Sequence, residues 1–181
     1  MNSSEQAHAP QVESAEGGPP LARLAGFIER ADPGTKAALA RLDPDHLKPH
    51  QMAALTRALM LAGLVPENWH LNTWKRWALV AHGMALAGHG KGRLAAQLAS
   101  AGVAESRVTK LLVSRDEAFL QIVPRLLRLL ASKQTPPNWH ELSELIFWDD
   151  TTDPDKHAKA EDRRRRVAGD YIAALHRTKS S

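Results

Sequence analysis

The glycine cluster Gly88-His89-Gly90-Lys91-Gly92 offers the bare amides and the lysine with which phosphate loops hold phosphate oxygens. A nucleotide-binding loop of that kind also needs glycine at position 85 and serine or threonine at position 92, where this chain has Ala85 and Gly92. The pattern therefore predicts a flexible turn between helices, in which Lys91 is available to touch a phosphate backbone.

The pair His140-Glu141 resembles the start of a zinc-protease motif, but Glu144 stands where the second histidine ligand should be. Nearby acids could in principle hold Mg²⁺, although acids at helix starts more often serve as caps. These acids are Glu141, Glu144, Asp149, Asp150, Asp153 and Asp155. The chain has no cysteine and no Gly-x-Ser-x-Gly pattern, so we predict no metal, no cofactor and no enzymatic activity.

Basic residues are concentrated in the middle third of the chain. Between Leu71 and Lys133 there are ten Lys or Arg and three Asp or Glu, a local net charge of +7, whereas the whole chain carries +4. Apolar residues recur at helical spacing between these cations, which predicts helices with one basic face. Such a face is typical of proteins that bind a polyanion. The candidate nucleic-acid contacts in this stretch are Lys91, Arg93, Arg107, Lys110, Arg115, Arg125 and Arg128.

Two other groups allow more than one interpretation. Trp69, Trp74 and Trp77, beside Lys75 and Arg76, could stack on unpaired bases, but tryptophans at helical spacing more often belong to a core. The run 163–166 is four arginines flanked by acids, and it fits either a solvated helix face or a phosphate contact.

The segment LAAQLASAGVAESRVTKLL has the form of a helix-turn-helix, with Gly102 at the turn and Val103, Val108 and Leu111 at apolar positions. Leu98 occupies a position where that motif prefers a small residue. A DNA-binding regulator with one preferred duplex sequence is therefore an alternative hypothesis.

The composition predicts an all-α protein, because Leu and Ala dominate whereas Val, Ile and Tyr are sparse. We expect a compact bundle of about seven to nine helices. Residues 1–20 should be a disordered leader, 21–177 a helical domain, with possible parts 21–90 and 91–177, and 178–181 a disordered tail. No apolar run is long enough to span a membrane, so we expect a cytoplasmic protein.

Five pieces in order resemble the CasB family, the small subunit of the type I-E CRISPR Cascade complex. They are GTKAALARL with the following DHLKP, RWALVAHGMAL before the glycine-rich turn, RLAAQLASAGVAESRVTKLLVSRD, a basic leucine helix, and NWHELSELIFW. The resemblance covers about residues 21–177. It departs from the family pattern in the acidic leader and in the insertion DDTTDPDKHAKAEDRRRR.

The resemblance implies a non-catalytic helical protein that sits in two copies along the complex beside other Cascade subunits. Its basic surface would hold guide RNA and target DNA, including the displaced strand. Carried over by position, the family's basic sites fall on Lys36 and Arg41 in the early helix, on Arg107, Lys110 and Arg115 in the block after the glycine turn, and on Arg125 and Arg128 in the leucine helix. A pure scaffold that binds no nucleic acid is the third possibility.

Overall fold

The computed structural model describes residues 18–149 and 151–179, and within these ranges the chain is helical with no strand. This confirms the predicted all-α class. The structure does not describe residues 1–17, 150 and 180–181, nor the side chains of 178 and 179. The predicted leader and tail therefore lie mostly outside the described residues.

The described chain contains nine α-helices and one 3₁₀ turn. In order these are α1 (Pro20–Arg30), α2 (Pro33–Ala40), α3 (Pro49–Leu61), the 3₁₀ turn (Pro66–Asn68), α4 (Leu71–Ala87), α5 (Leu94–Ser100), α6 (Glu105–Val113), α7 (Asp116–Ser132), α8 (Trp139–Phe147) and α9 (Pro154–Lys179). None of them combines the length and the apolar character that crossing a membrane requires.

Helix α4 lies at the centre of the core, as its almost continuous apolar sequence predicts. Every side chain from Ala78 to Met84 is buried, and the helix packs against α1, α2, α3, α7 and α8. Gly83 makes the contact with α7 and α8 possible. A Cβ atom at this position would lie 2.6 Å from Leu127 Cδ1 and closer still to the ring of Trp139.

Helix α9 packs against α5, α6 and α8. Val167, Tyr171 and Leu175 follow one another four residues apart, which predicts an apolar stripe. The stripe is confirmed, because Val167 and Tyr171 are buried and Leu175 packs partly buried against the core. The Tyr171 hydroxyl donates a hydrogen bond to the carbonyl of Val103, which lies in the turn between α5 and α6. Helix α9 therefore fixes the position of the basic α5–α6 segment.

The sequence predicts helix N-caps at Asp32, which precedes Pro33, and at Asn138, three residues before Glu141, and the structure confirms both caps. The Asp32 carboxylate accepts a hydrogen bond from the Thr35 amide at 3.0 Å and begins α2. The Asn138 side chain accepts from the amides of His140 at 2.9 Å and Glu141 at 3.3 Å and begins α8. In both cases a short polar side chain satisfies amides that have no partner inside the helix.

The spacing of Ser114 and Glu117 predicts a capping box at the start of α7, and this prediction is wrong. The Ser114 hydroxyl donates to the carbonyl of Lys110 at 2.7 Å, and α7 begins at Asp116 instead. The Asp116 amide donates to the carboxylate of Asp149, which comes from the end of α8. A distant residue thus caps α7, and a local sequence pattern does not reveal it.

The sequence also predicts that Asn72 caps α4 and that Pro124 kinks α7 or splits it in two. Helix α4 begins at Leu71, so Asn72 lies inside its first turn and does not cap it. Helix α7 runs without a break from Asp116 to Ser132 although Pro124 lies inside it, so Pro124 does not split the helix in two.

The packing of Gly83 predicts that Gly83→Ala destabilises the fold. We expect a loss of about 1–3 kcal/mol in the free energy of unfolding, because the added methyl group must displace two packed side chains. Chemical denaturation followed by circular dichroism measures this loss.

Gly169→Ala is the matched control, since an added Cβ at this helical position meets no atom within 4 Å. Replacing glycine inside a helix there should raise stability, by about 0.5–1 kcal/mol. Equal changes in the two variants would contradict the tight packing around Gly83.

His82 predicts a pH dependence of stability. Burial lowers the pKa of His82, and the nearby charge of Arg128 lowers it further, while hydrogen bonds to the backbone of Leu39 and Ala40 oppose the shift. As the pH falls through about 6.5, the unfolded chain takes up this proton before the folded chain does. The folded state then loses up to about 1.4 kcal/mol per pH unit until its own lower pKa is reached.

The variant His82→Gln should lack this pH-dependent loss of stability. Between about pH 7.5 and 5.5, the unfolding free energy of the variant should therefore rise relative to that of the wild type. The other titrating groups are common to both chains and cancel in the difference. A difference that stays constant over this range would contradict the prediction.

Candidate nucleic-acid interface

Helices α6 and α7 each present a pair of exposed cations beside their buried apolar residues. Arg107 and Lys110 are spaced three apart on α6, whose Val108 and Leu111 are buried. On α7 the same spacing separates Arg125 and Arg128, and the two side chains between them, Leu126 and Leu127, are buried. All four cations are exposed.

Arg107, Lys110 and Arg125 line one groove between α6 and α7, with a volume of about 250 Å³. Arg128 lies almost one turn farther along α7, and its charge acts on the buried His82 of α4. In the described ranges, none of these four cations forms an ion pair or a side-chain hydrogen bond within the chain. No acidic side chain of the described residues pairs with these four charges, and the cations lie on the exposed sides of the adjacent helices α6 and α7.

Arg115 lies between α6 and α7 but is engaged by its own chain. Its guanidinium donates to both carboxylate oxygens of Glu161, at 2.8 and 3.1 Å, and to the carbonyls of Leu112 and Ser114, at 2.8 and 2.9 Å. The side chain is 35% exposed. Arg115 thus ties the junction of α6 and α7 to α9.

Arg93 is also ion-paired. Its guanidinium bonds the carboxylate of Asp170 on α9, and its Nε atom lies 3.5 Å from Glu141 on α8. The side chain remains 59% exposed, so solvent can still reach it. The two acids compensate much of its charge.

A second basic group lines a cleft beside the glycine-rich turn. Lys36 and Lys91 line this cleft of about 460 Å³ together with Glu29 and His89. The Lys36 ammonium donates to the carbonyl of Glu29 at 2.7 Å. Burial lowers the pKa of His89, and the charge of His140 adds to this shift. Arg41, exposed at the end of α2, is the remaining predicted contact in this half of the chain.

In the glycine-rich turn, packing requires glycine at position 90, whereas Gly88 and Gly92 have positive φ angles of 76° and 102°. A Cβ atom at Gly90 would collide with the carbonyl oxygen of Pro136 and would lie 2.7 Å from Gln97 Nε2. The Gly90 amide donates to the carbonyl of Pro137 at 2.9 Å, so it is not free to bind a phosphate. The turn closes α4 against the segment that leads into α8.

The arginine run 163–166 mostly makes internal contacts. Arg163 donates to Glu144 at 2.6 Å and to Glu141 at 3.1 Å, and the hydrogen bond to Glu144 raises the pKa of Arg163. Arg164 is buried against Asp149. Arg165 and Arg166, which are exposed, lie 3.7 and 2.7 Å from the carboxylate of Asp162. The first two arginines fasten α9 to the α8 region, and the last two face solvent.

Three of the acids that could hold Mg²⁺, namely Glu141, Glu144 and Asp149, serve the same internal contacts. The carboxylate of Glu141 accepts from the Leu94 amide at 2.7 Å and so caps α5. Burial raises the pKa of Asp149, while the hydrogen bond from the Asp116 amide and the charge of Arg164 oppose that shift. Among the residues that the structure describes, which omit Asp150, no group of three or more His, Asp or Glu is arranged to hold a metal ion.

The tryptophans form an aromatic cluster at the edge of the core. Trp69 and Trp77 are stacked with ring centroids 6.0 Å apart, and Trp77 lies 4.7 Å from Phe147. All pack partly buried against the core, which favours the core interpretation over a base-stacking platform. Even with the tryptophans in the core, the sequence leaves Lys75 and Arg76 able to point outward. For Arg76 this is wrong, because it is buried and donates to the carbonyl of Ile146 at 2.5 Å.

Sequence reasoning missed the pairing of Arg93 and Arg115, because their carboxylate partners are 77 and 46 residues away along the chain. It also missed Ile122 and Leu129, which line the groove between α6 and α7. Their spacing of seven residues on α7, with Arg125 between them, is a signal that could have placed them beside the cations.

A family model for the CRISPR-associated protein Cse2 matches residues 35–171, which include every predicted contact and most of the helical domain. No curated protein and no solved structure matched the chain. The matched range begins inside α2 and ends on α9, so it contains both basic groups and the helices that position them. The chain therefore belongs to the Cse2 family, also called CasB, whose members are the small subunit of the type I-E CRISPR Cascade complex.

Proposed function

We propose that this chain is a non-catalytic subunit that holds guide RNA and target DNA, including the displaced strand, while Cascade forms an R-loop in antiviral defence. The observation that carries this proposal is the placement of Arg107, Lys110 and Arg125 around one groove without a carboxylate partner in the described chain. Cations that the fold leaves unpaired are the ones available to phosphate oxygens.

The contacts are electrostatic and do not read sequence. Guanidinium and ammonium groups make charge-assisted hydrogen bonds to phosphate oxygens, and each neutralised phosphate releases condensed counterions. Pairing with the guide supplies the sequence information, so this subunit needs only a basic surface of suitable shape. Arg128 extends the contact along α7 from Arg125.

The second basic group adds contacts in the other half of the chain. Lys36, Arg41 and Lys91 are assigned to it, since Lys36 and Lys91 line one cleft and Arg41 is exposed. Arg93 and Arg115 contribute less to nucleic-acid affinity, because carboxylates of this chain already compensate their charges. The partners are the two nucleic acids, other Cascade subunits and a second copy of this chain, all in the cytoplasm.

Two other functions remain distinguishable by experiment. A helix-turn-helix regulator would select one duplex sequence from a random pool, whereas the proposed subunit selects none. A pure scaffold would bind no nucleic acid at modest salt. Family membership favours the proposed subunit over a regulator, because the family functions inside Cascade.

The double variant Arg107→Ala/Lys110→Ala should weaken binding to unrelated oligonucleotides by about the same factor for each, since it removes phosphate contacts only. We expect roughly a tenfold loss in affinity at low salt. Fluorescence anisotropy with several unrelated labelled oligonucleotides measures it, and R-loop formation by the assembled complex should slow in parallel.

Arg165→Ala/Arg166→Ala is the matched control, because it removes the same charge from two exposed arginines that lie beside Asp162. This control should change affinity much less. Wild-type affinity and full R-loop formation in the Arg107→Ala/Lys110→Ala variant would show that the assignment of the groove is wrong.

Salt provides a separate prediction. If about six phosphates are neutralised, the affinity for duplex nucleic acid should fall on the order of a thousandfold between 50 and 200 mM salt. The slope of log affinity against log salt concentration gives the number of phosphate contacts. Arg125→Ala should reduce the magnitude of this slope by about one, which corresponds to the loss of one contact. A flat response to salt would be incompatible with phosphate recognition.

A further inference from the structure

The groove between α6 and α7 has an apolar floor as well as a basic rim. Seven aliphatic side chains line it: Leu98, Val103, Val108, Leu111, Ile122, Leu126 and Leu129. Ile122 and Leu129 are the partly exposed members, and the other five are buried. The cations Arg107, Lys110 and Arg125 stand at the edges of this floor.

The floor does not suit nucleic acid. Single strands gain about 1–3 kcal/mol per base by stacking on aromatic side chains, and the residues that line this groove include no aromatic ring. Phosphates use the rim alone and leave the aliphatic surface exposed to water. Aliphatic grooves between helices are instead typical sites for the apolar face of an amphipathic helix.

The cations that line the groove favour a helix with acidic side chains. The lining of the groove contains three cations and no acid, and these cations have no partner in the described part of this chain. A helix with acidic residues on both sides of its apolar stripe would neutralise them, whereas a basic helix would be repelled. The cleft beside the glycine-rich turn is less suitable, because it includes Glu29 and because Lys36 already bonds a backbone carbonyl there.

We propose that this groove binds an acidic amphipathic helix of a partner protein, with Leu, Ile or Met anchors against Ile122 and Leu129 and carboxylates paired with Arg107, Lys110 and Arg125. The groove is short, since α6 has nine residues and is about 14 Å long. Two to three turns of the partner helix fill it. Binding of the helix itself does not depend on the proposed function.

One consequence does rest on the proposed function. The cations that would bind the acidic helix are the ones assigned to phosphates, so helix and nucleic acid exclude each other at this groove. A partner that presents such a helix would release nucleic acid from α6 and α7 and leave the contacts of Lys36, Arg41 and Lys91 in place. This gives the complex a way to regulate one of its two basic groups.

The test uses the full chain and two fluorescent peptides of equal length and equal negative charge. One is a designed helix with leucines at positions i, i+3, i+4 and i+7 and glutamates flanking them; in the other, serines replace the leucines. The leucine peptide should bind at least ten times more tightly than the serine peptide. Equal binding would overturn the proposal, because it would mean that the groove recognises charge alone.

Two variants separate the floor from the rim. Leu129→Ser should lower the affinity for the leucine peptide at least fivefold and leave the affinity for oligonucleotides unchanged. A thermal melting curve checks that the variant keeps its fold. Arg107→Ala/Lys110→Ala should lower the affinity for both the leucine peptide and the oligonucleotides. If Leu129→Ser leaves the peptide affinity at the wild-type value, the proposal fails. If Arg107→Ala/Lys110→Ala leaves the oligonucleotide affinity unchanged but lowers the peptide affinity, the proposed function of these cations fails and the helix site stands.

Other occupants give distinct outcomes. Residues 1–17 carry three glutamates and no lysine or arginine, so a chain that lacks them is tested in parallel. If only the shortened chain binds the leucine peptide, the groove belongs to that segment and the proposal is overturned. If sedimentation shows that Leu129→Ser abolishes self-association, the groove is a contact between copies, and the proposal is likewise overturned.

Discussion

Ion pairs between arginines and carboxylates hold α9 across the rest of the helical core. The innermost is Arg164 with Asp149, in which the two side chains are 5% and 0% exposed. Removing one partner of such a pair costs about 3–5 kcal/mol, because the remaining charge stays buried without compensation. Asp149 also accepts from the first amide of α7, so one carboxylate fixes α7, the end of α8 and α9 together.

This network also divides the cations of the chain into two classes. Arg93, Arg115, Arg163 and Arg164 are paired with acids on other elements, and they position α5, α7, α8 and α9. The cations on the outer faces of α6 and α7 have no such partners in the described chain. Net charge in a stretch of sequence therefore overstates what a surface can offer to phosphates, and pairing decides which charges remain.

The α6–α7 surface combines two kinds of chemistry within a small area. Its cations are suited to phosphates and carboxylates alike, whereas its aliphatic floor is suited only to apolar side chains. Tyr171 holds the turn that leads into α6, and Arg115 ties the junction of α6 and α7 to α9. The groove is therefore bounded by helices whose positions are fixed by contacts with α9.

Local chemistry determined the all-α class, the buried position of α4 and the caps at Asp32 and Asn138, because propensity, apolar spacing and side-chain capping act over a few residues. The same spacing placed Arg107, Lys110, Arg125 and Arg128 on outer helix faces. Only the tertiary structure decided that Asp149 caps α7, that Arg76 is buried and that Arg93 and Arg115 are paired. These contacts join residues 33 or more positions apart, and the energy of a charge depends on neighbours that packing alone brings within reach.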